Sequence, residues 1–413
     1  MRKEHYGKPM RSKIGLVSLA LVASTSCLFV GASGAATHKK KVPKPAPIKI
    51  MQIGTFQSPG LSLVNAESGV KAHVDYINSH GGVLGHKLVV QYCNDGFDAS
   101  TAAACASTAV QNHDVAIVGG ASAESPAIFP ILQAAGIPWL GGTGSGGPIE
   151  ATSPISYPLT GGTQSVEVGM GRILTDLGDK KVAVIIADAA AAYPAYDAVV
   201  QGVTKGGGTA AARVLATIGA PDFSAVASSA LASNPTGIAI ASVPNDVPRI
   251  ALALRQAGYK GDISTLAGVM SNTAIQSLGK NAANLYLLTD LVPVSFSNIP
   301  AVSGFLAGMK ADGYSAPDID VKSIGGWTAI GFFQQIVRQL GKTPVTSKSI
   351  VKLLANLPKT ISLGTVADYT GVPNPPLVAQ YPRVPTFKVF GSAVQGDGTQ
   401  VPYNQGKPFD PLG

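Results

Sequence analysis

The chain has 413 residues, enough for two or three domains. Hydrophobic residues make up 46% and charged residues 13%, about half the ordinary charged share, which excludes a coiled coil and a charge-driven disordered chain. The net charge of +8 is confined to one end. Nine of the 31 basic residues and one of the 23 acidic residues fall in 1–47, which leaves 22 of each for 48–413 and argues against a nucleic-acid partner.

Residues 2–13 carry Arg2, Lys3, Lys8, Arg11 and Lys13. A mostly apolar run follows from Ile14 to Val30, then the small residues Gly31 to Ala36. Basic, apolar, small is the order of a secretory signal peptide, so 1–36 is read as a signal with the mature chain starting near Thr37. Ser18, Ser24, Thr25 and Ser26 interrupt the run, which argues against a permanent membrane span. Cys27 is a poor lipid-anchor site, because Ser24 stands where a lipobox carries Leu. Residues 37–47, THKKKVPKPAP, read as a basic, Pro-rich linker. The expected location is therefore outside the cytoplasm, periplasmic or extracellular. Cleavage would leave an even pair of cysteines, Cys93 and Cys105, and an exported chain can join them. Cys93 ends a predicted strand, and Cys105 lies on the helix expected over Ala99–Val110, which should pack back over that strand. No His or further Cys stands nearby at ligand spacing, so no metal is expected.

From Ile48 onward, apolar runs rich in β-branched residues alternate with helical patterns. The predicted strands are Ile48–Phe56, Lys87–Tyr92, Val115–Gly119, Lys181–Ala187, Arg213–Ile218, Gly237–Ser242, Ile263–Leu266 and Leu285–Leu291. Continuous apolar runs imply strands covered on both faces. Ala66, Val70, Val74 and Ile77 share one face of a first helix, which Gly81-Gly82 should stop. Phe332, Phe333, Ile336, Val337 and Leu340 share a face of a later one. The tail from Thr370 is Pro-rich, with one strand-like run at Thr386–Phe390. The alternation predicts an α/β protein with doubly wound parallel sheets, and the number of elements calls for two lobes.

The segments 69–95 (GVKAHVDYINSHGGVLGHKLVVQYCND), 115–127 (VAIVGGASAESPA), 135–146 (AGIPWLGGTGSG), 180–188, 252–263 and 325–333 resemble the type I periplasmic binding proteins. Within that fold, the likeness is to the branched-chain amino acid group that feeds ABC transporters. The resemblance implies two α/β lobes joined by a hinge of crossing strands, with the ligand in the cleft between them. It places lobe I at 48–158 plus 292–372 and lobe II at 159–291 plus 385–413.

Ser122 follows a predicted strand and precedes a helix. A hydroxyl there either caps the helix or joins its free amides in binding a carboxylate. The resemblance implies the second role for Ser122, with Ser125 as its substitute, and assigns a second carboxylate hydroxyl to Ser145, with Thr143 beside it. It also implies a ligand-contacting tyrosine at Tyr193, with Tyr196 in competition. Gln57 and Ser58 are candidate rim residues. Residues 142–147 contain G-x-G-x-x-G, but the motif does not open a helix in a first βαβ unit, so no nucleotide or other cofactor is expected. Trp139 and Trp327 read as core.

Motifs for a nucleophile elbow, a zinc protease and a P-loop are absent from the sequence, and no catalytic residue is assigned. The expected function is capture of a small organic solute, a branched-chain amino acid or a related carboxylate or amide, by a monomer that delivers it to a membrane ABC permease; the alternative is an exported sensing module. In amino-acid-binding relatives an acidic residue holds the ligand's ammonium, and Ala267 stands at the matching position. An aromatic position likewise falls near Val243. With only Asp188 and Asp246 nearby as replacements, the expectation is a ligand with an acceptor group and an uncharged far end, such as an amide or keto acid.

Overall fold

The computed structural model describes residues 45–58, 62–142 and 147–413. The signal segment, Cys27, most of the linker, Thr143 and Ser145 lie outside them. Among the described residues no helix is long and apolar enough to cross a membrane.

The first half runs β1 (Ile48–Gly54), α1 (Val64–Ser79), β2 (Leu88–Asn94), α2 (Ala99–Gln111), β3 (Ile117–Val118), α3 (Ser125–Ala135), β4 (Trp139–Leu140), α4 (Pro148–Thr152) and β5 (Ser156–Tyr157). Its strands form a parallel sheet in the order β2-β1-β3-β4-β5. The second half runs α5 (Gly162–Asp176), β6 (Lys181–Ala187), α6 (Tyr193–Lys205), β7 (Thr209–Ala216), α7 (Ser224–Leu231), β8 (Gly237–Ala241), α8 (Val247–Gln256), β9 (Asp262–Leu266), α9 (Asn272–Leu278) and β10 (Leu285–Thr289). The chain then contributes α10 (Pro300–Ala311), α11 (Val321–Leu340) and α12 (Ser347–Ala355), and returns as β11 (Phe390–Val394) and β12 (Gln400–Pro402). The second sheet has the order β12-β11-β10-β9-β8-β6-β7, parallel except for β11 and β12.

Alternation along the central strands explains why both sheets are covered twice. Ile48 and Ile50 of β1 join the core built with α1 and α11, whereas Met51 and Ile53 join the core built with α2 and α3. In β6, Ala183 and Ile185 pack toward α7 and α8, and Val182, Val184 and Ile186 toward α5 and α6. Side chains two apart share a face of a strand, so a run apolar throughout must be buried on both.

The predicted strands in both halves are present, shifted by a few residues at their ends. β4 and β5 have only two residues each, too short to show a period. The tail strand sits a few residues later than the Thr386–Phe390 run, whose Phe387 and Val389 are buried with Val389 forming an isolated bridge to Phe409. Cys93 and Cys105 are disulfide-bonded with their Cα atoms 5.8 Å apart, tying α2 to β2. α1 stops where expected: Gly81 and Gly82 take φ of +93° and +79°, and a Cβ on Gly82 would lie 2.1 Å from the His86 carbonyl oxygen.

α1 and α11 touch backbone to backbone. A Cβ on Gly69 would lie 1.8 Å from the Ser323 oxygen, and one on Gly326 would lie 2.2 Å from the Ala66 oxygen. Alanine in a helix is worth about 1 kcal/mol over glycine. That gain cannot offset a clash with a backbone carbonyl, so the helices must part. Gly326→Ala should therefore lower stability by about 1–3 kcal/mol in urea unfolding.

Asp114 is 2% exposed, and neither carboxylate oxygen has a hydrogen-bond partner. Burial pushes its carboxyl up to about 6, partly opposed by Lys49. The folded state thus holds this proton more tightly than the unfolded chain does. The stability it contributes is complete below about pH 4 and lost as pH rises through about 6. Asp114→Asn should raise stability by about 2 kcal/mol at pH 8, and the gain should vanish near pH 4 in parallel melts.

Candidate functional site

A cavity of about 230 Å³ lies between the two sheets. Its walls are mostly apolar: Leu63, Ala66 and Ala121 on the side of the first sheet, Val166, Leu266 and Leu288 on the side of the second. The residues just after β9 and β10 and the 141–142 turn after β4 all reach it, so it sits at the carboxyl ends of strands from both sheets. Open α/β sheets place ligands there, because loops and helix N-termini converge at that edge.

Two charged groups border this apolar space. Lys322 stands in the first turn of α11, whose cap Asp320 accepts from the Lys322 and Ser323 amides. A cation at a helix N-terminus opposes the helix dipole, so helix stability does not account for this lysine. Asp290 stands just after β10, where the chain leaves the second sheet. Its Oδ2 accepts from the Thr160 hydroxyl at 2.5 Å, and Thr160 also accepts from the Gly162 amide. Burial pushes the Asp290 carboxyl above the usual carboxylate range, against the hydrogen bonds from Thr160 and the backbone. Among the described residues neither Lys322 nor Asp290 forms an ion pair.

The residues expected from sequence fall elsewhere. Ser122 is fully buried, its hydroxyl donating to Asp95 Oδ2 at 2.5 Å and accepting from the Glu124 amide. The Ala123 amide is taken by Thr55 Oγ1, and the Ser125 hydroxyl donates to the Ser122 carbonyl and to Glu150. This strand-end loop satisfies its own donors, so the Ser122 hydroxyl faces Asp95 and not the cavity. Helix α3 also starts at Ser125, flanked by Glu124 in place of Ser122. Tyr193 is 38% exposed, its hydroxyl donating to Asp188 and its ring under the Arg213 guanidinium; it does not border the cavity. Gln57 is exposed, and its backbone is clamped by Asn94. Ala121 and Gly142 do line the cavity, next to Ser122 and Thr143 in sequence. Asp246 is buried against the Gly219 amide and Arg249. Ala267 leaves the wall between Leu266 and Gly268 without a carboxylate.

The sequence pattern of the family described as periplasmic binding protein matches residues 47–373. The chain belongs to the periplasmic binding protein family. A relative named Leu/Ile/Val-binding protein homolog 3, from Brucella melitensis, is 22% identical over 303 residues, covering 73% of this chain and 81% of its own. Among solved structures, a leucine-, isoleucine-, valine-, threonine- and alanine-binding protein from Brucella ovis, in a closed conformation, matches with a TM-score of 0.72 at 17% identity, over 88% of this chain and 95% of that one. A branched-chain amino acid transporter substrate-binding protein from Streptococcus pneumoniae, solved with isoleucine, matches with a TM-score of 0.64 at 18% identity, over 86% of this chain and all of that one. At these identities the structures establish a shared fold, that of type I periplasmic binding proteins.

Asp290, Thr160 and Lys322 are the polar residues that sequence reading missed in this periplasmic binding protein. Two signals pointed to them: an acidic residue directly after a strand, and a lysine just inside a helix start already capped by aspartate. Ser122→Ala should leave the buried Asp95 carboxylate one donor short and cost about 1–3 kcal/mol in thermal or urea unfolding. Unchanged stability with weakened solute binding would instead place the hydroxyl in the cleft.

Proposed function

We propose that this chain is an exported substrate-binding protein of an ABC importer. It captures a small amino-acid zwitterion with an aliphatic side chain and presents it to a membrane permease without chemical change. The observation that carries the reading is the pair of opposite charges, Lys322 and Asp290, which border one small apolar cavity and, among the described residues, form no ion pair, Asp290 being held by the Thr160 hydroxyl alone among side chains. Isolated charges in an apolar wall are costly, and a ligand carrying both opposite charges relieves both costs. The ligand carboxylate goes to Lys322; Thr143 and Ser145, the hydroxyls expected from sequence, lie outside the described residues. The ammonium goes to Asp290. The aliphatic side chain packs on Leu63, Leu266 and Leu288.

The names of the relatives, given for leucine, isoleucine and valine, agree with this class. Ala267 suggested a ligand without an ammonium. Asp290 changes that, because it brings a carboxylate to the cavity from the hinge. On this reading 48–158 with 292–372 and 159–291 with 385–413 are the two lobes, and they close over the ligand by hinge motion. Export rests on the basic, apolar and small segments of residues 1–36.

Calorimetry on the mature chain tests the assignment with leucine and with 4-methyl-2-oxopentanoate, which keeps the carboxylate and side chain but lacks the ammonium. Asp290→Asn should weaken leucine about 100-fold, or ~2.7 kcal/mol, and spare the keto acid. In the unsubstituted chain leucine affinity should fall with decreasing pH as Asp290 is protonated, beginning at higher pH than for an ordinary carboxylate. Full leucine affinity in Asp290→Asn would remove Asp290 from the site, and no binding of any aliphatic amino acid would overturn the ligand class.

A further inference from the structure

A second cavity, an open groove of about 740 Å³, lies between α1 and α10 on the outer side of α11. Thr328 borders both this groove and the interlobe cavity. The groove's floor is a run of aromatic rings. His73 stacks on Trp327 with centroids 3.9 Å apart, and Tyr76 lies 6.1 Å from Trp327 and 4.3 Å from His80. Tyr76 is 49% exposed, an unusual amount of bare aromatic surface over a helix–helix seam.

His73 supplies the deciding polar feature. The ring is 8% exposed, and its Nδ1 lies 2.6 Å from the Trp327 carbonyl oxygen. A carbonyl oxygen can only accept, so Nδ1 carries the hydrogen. Burial pushes the imidazole down to about 4, which keeps it neutral under ordinary conditions. Nε2 is then a bare acceptor. Nε2 has no hydrogen-bond partner among the described residues, and the ring lines the groove. Open to the groove, this acceptor can take an N–H or O–H donor from a ligand lying there.

Charge narrows the donor's class. Asp75 and Asp312 both border the groove, and the Asp312 carboxyl is raised by burial and then by the charge of Asp75, with Lys71 in partial opposition. Lys71 forms no ion pair with either. Two carboxylates, open aromatic faces and one neutral acceptor together favour a cation that can donate hydrogen bonds and rest against rings. The α10 wall is narrow in side chain: a Cβ on Gly304 would meet nothing within 4 Å. That leaves room for an apolar body beside the rings.

We infer that this groove is a second ligand site, separate from the interlobe cavity, for a small organic ammonium carried on a flat apolar body. The ammonium sits between the Asp75 and Asp312 carboxylates and the His73 acceptor, and the body lies along Tyr76 and Trp327.

The probe is 2-phenylethylammonium, titrated into the mature chain while tryptophan emission is followed. The chain has two tryptophans, and Trp139 is fully buried in the first half, so a groove ligand should act on Trp327. A saturable change at up to millimolar amine is expected, with none from uncharged 2-phenylethanol. Gly304→Leu, which fills open space, and the double variant Asp75→Asn/Asp312→Asn should each weaken the amine by at least about tenfold without lowering the melting temperature. No saturable response, an equal response to the alcohol, or undiminished binding in Gly304→Leu would each overturn the inference. The last outcome would place the amine elsewhere, for instance at Asp290.

Discussion

The contact between α1 and α11 is the constraint on which the rest of the first half depends. Gly69 and Gly326 let the two backbones meet at distances that any side chain would forbid. α11 is the long helix of this half, and its residues Ile330, Phe332, Phe333, Ile336 and Val337 fill the core under the first sheet. Its first turn carries Lys322 to the interlobe cavity, and its middle carries Trp327 to the outer groove. A shift of this helix by the width of a methyl group would therefore move two sites at once. The contact is also reinforced by polar means. Gln52 of β1 donates to the carbonyls of Ala66 and Gly119, which fixes α1 against the strand that leads into the cavity wall.

The second sheet is organised by the same rule and reaches the cavity by a different route. Gly171 and Gly202 allow α5 and α6 a similarly close approach, which sets α5 under β9 and β10 and brings Val166 to the cavity. The chain leaves β10 at Asp290, is held by the Val292 amide donating to the Thr365 carbonyl, and crosses to the first half. Thr365 in turn bonds the hydroxyl of Thr328 on α11 at 2.7 Å. The crossing segment is thus tied to the helix that bears Lys322. On the proposed reading, the two charges that would grip a zwitterion stand on elements linked through three hydrogen-bonded residues.

The fold was legible because its strands are buried on both faces, and such strands announce themselves as unbroken apolar runs like VAVIIA in β6. Helix ends were legible where glycine was obligatory, as at Gly81-Gly82. β4 and β5 were not, since two residues carry no period. The disulfide was legible from compartment and spacing together. The site was read less well, for a physical reason. Ser122 was chosen because a hydroxyl between strand and helix can serve a ligand or the loop, and sequence does not distinguish the two. Here the buried Asp95 carboxylate takes the hydroxyl, and no spacing rule announces a pairing 27 residues away. Tyr193 was similarly diverted, to Asp188 and Arg213 on the surface.

Asp290 and Lys322 share a property that a sequence reader could have used. Each breaks a local preference. Asp290 ends an apolar strand, LYLLT, inside a wall that desolvates it. Lys322 places a positive charge at the positive end of a helix dipole. Local conflicts of this kind cost stability, and chains that keep them do so where the group has another use. Asp246 shows the contrast: it stands at a helix start where an anion is favourable, and the Gly219 amide and Arg249 account for its carboxylate. The residues whose charges the fold itself explains belong to the scaffold. Asp290 and Lys322, whose charges their own elements do not explain, both border the cavity between the two sheets.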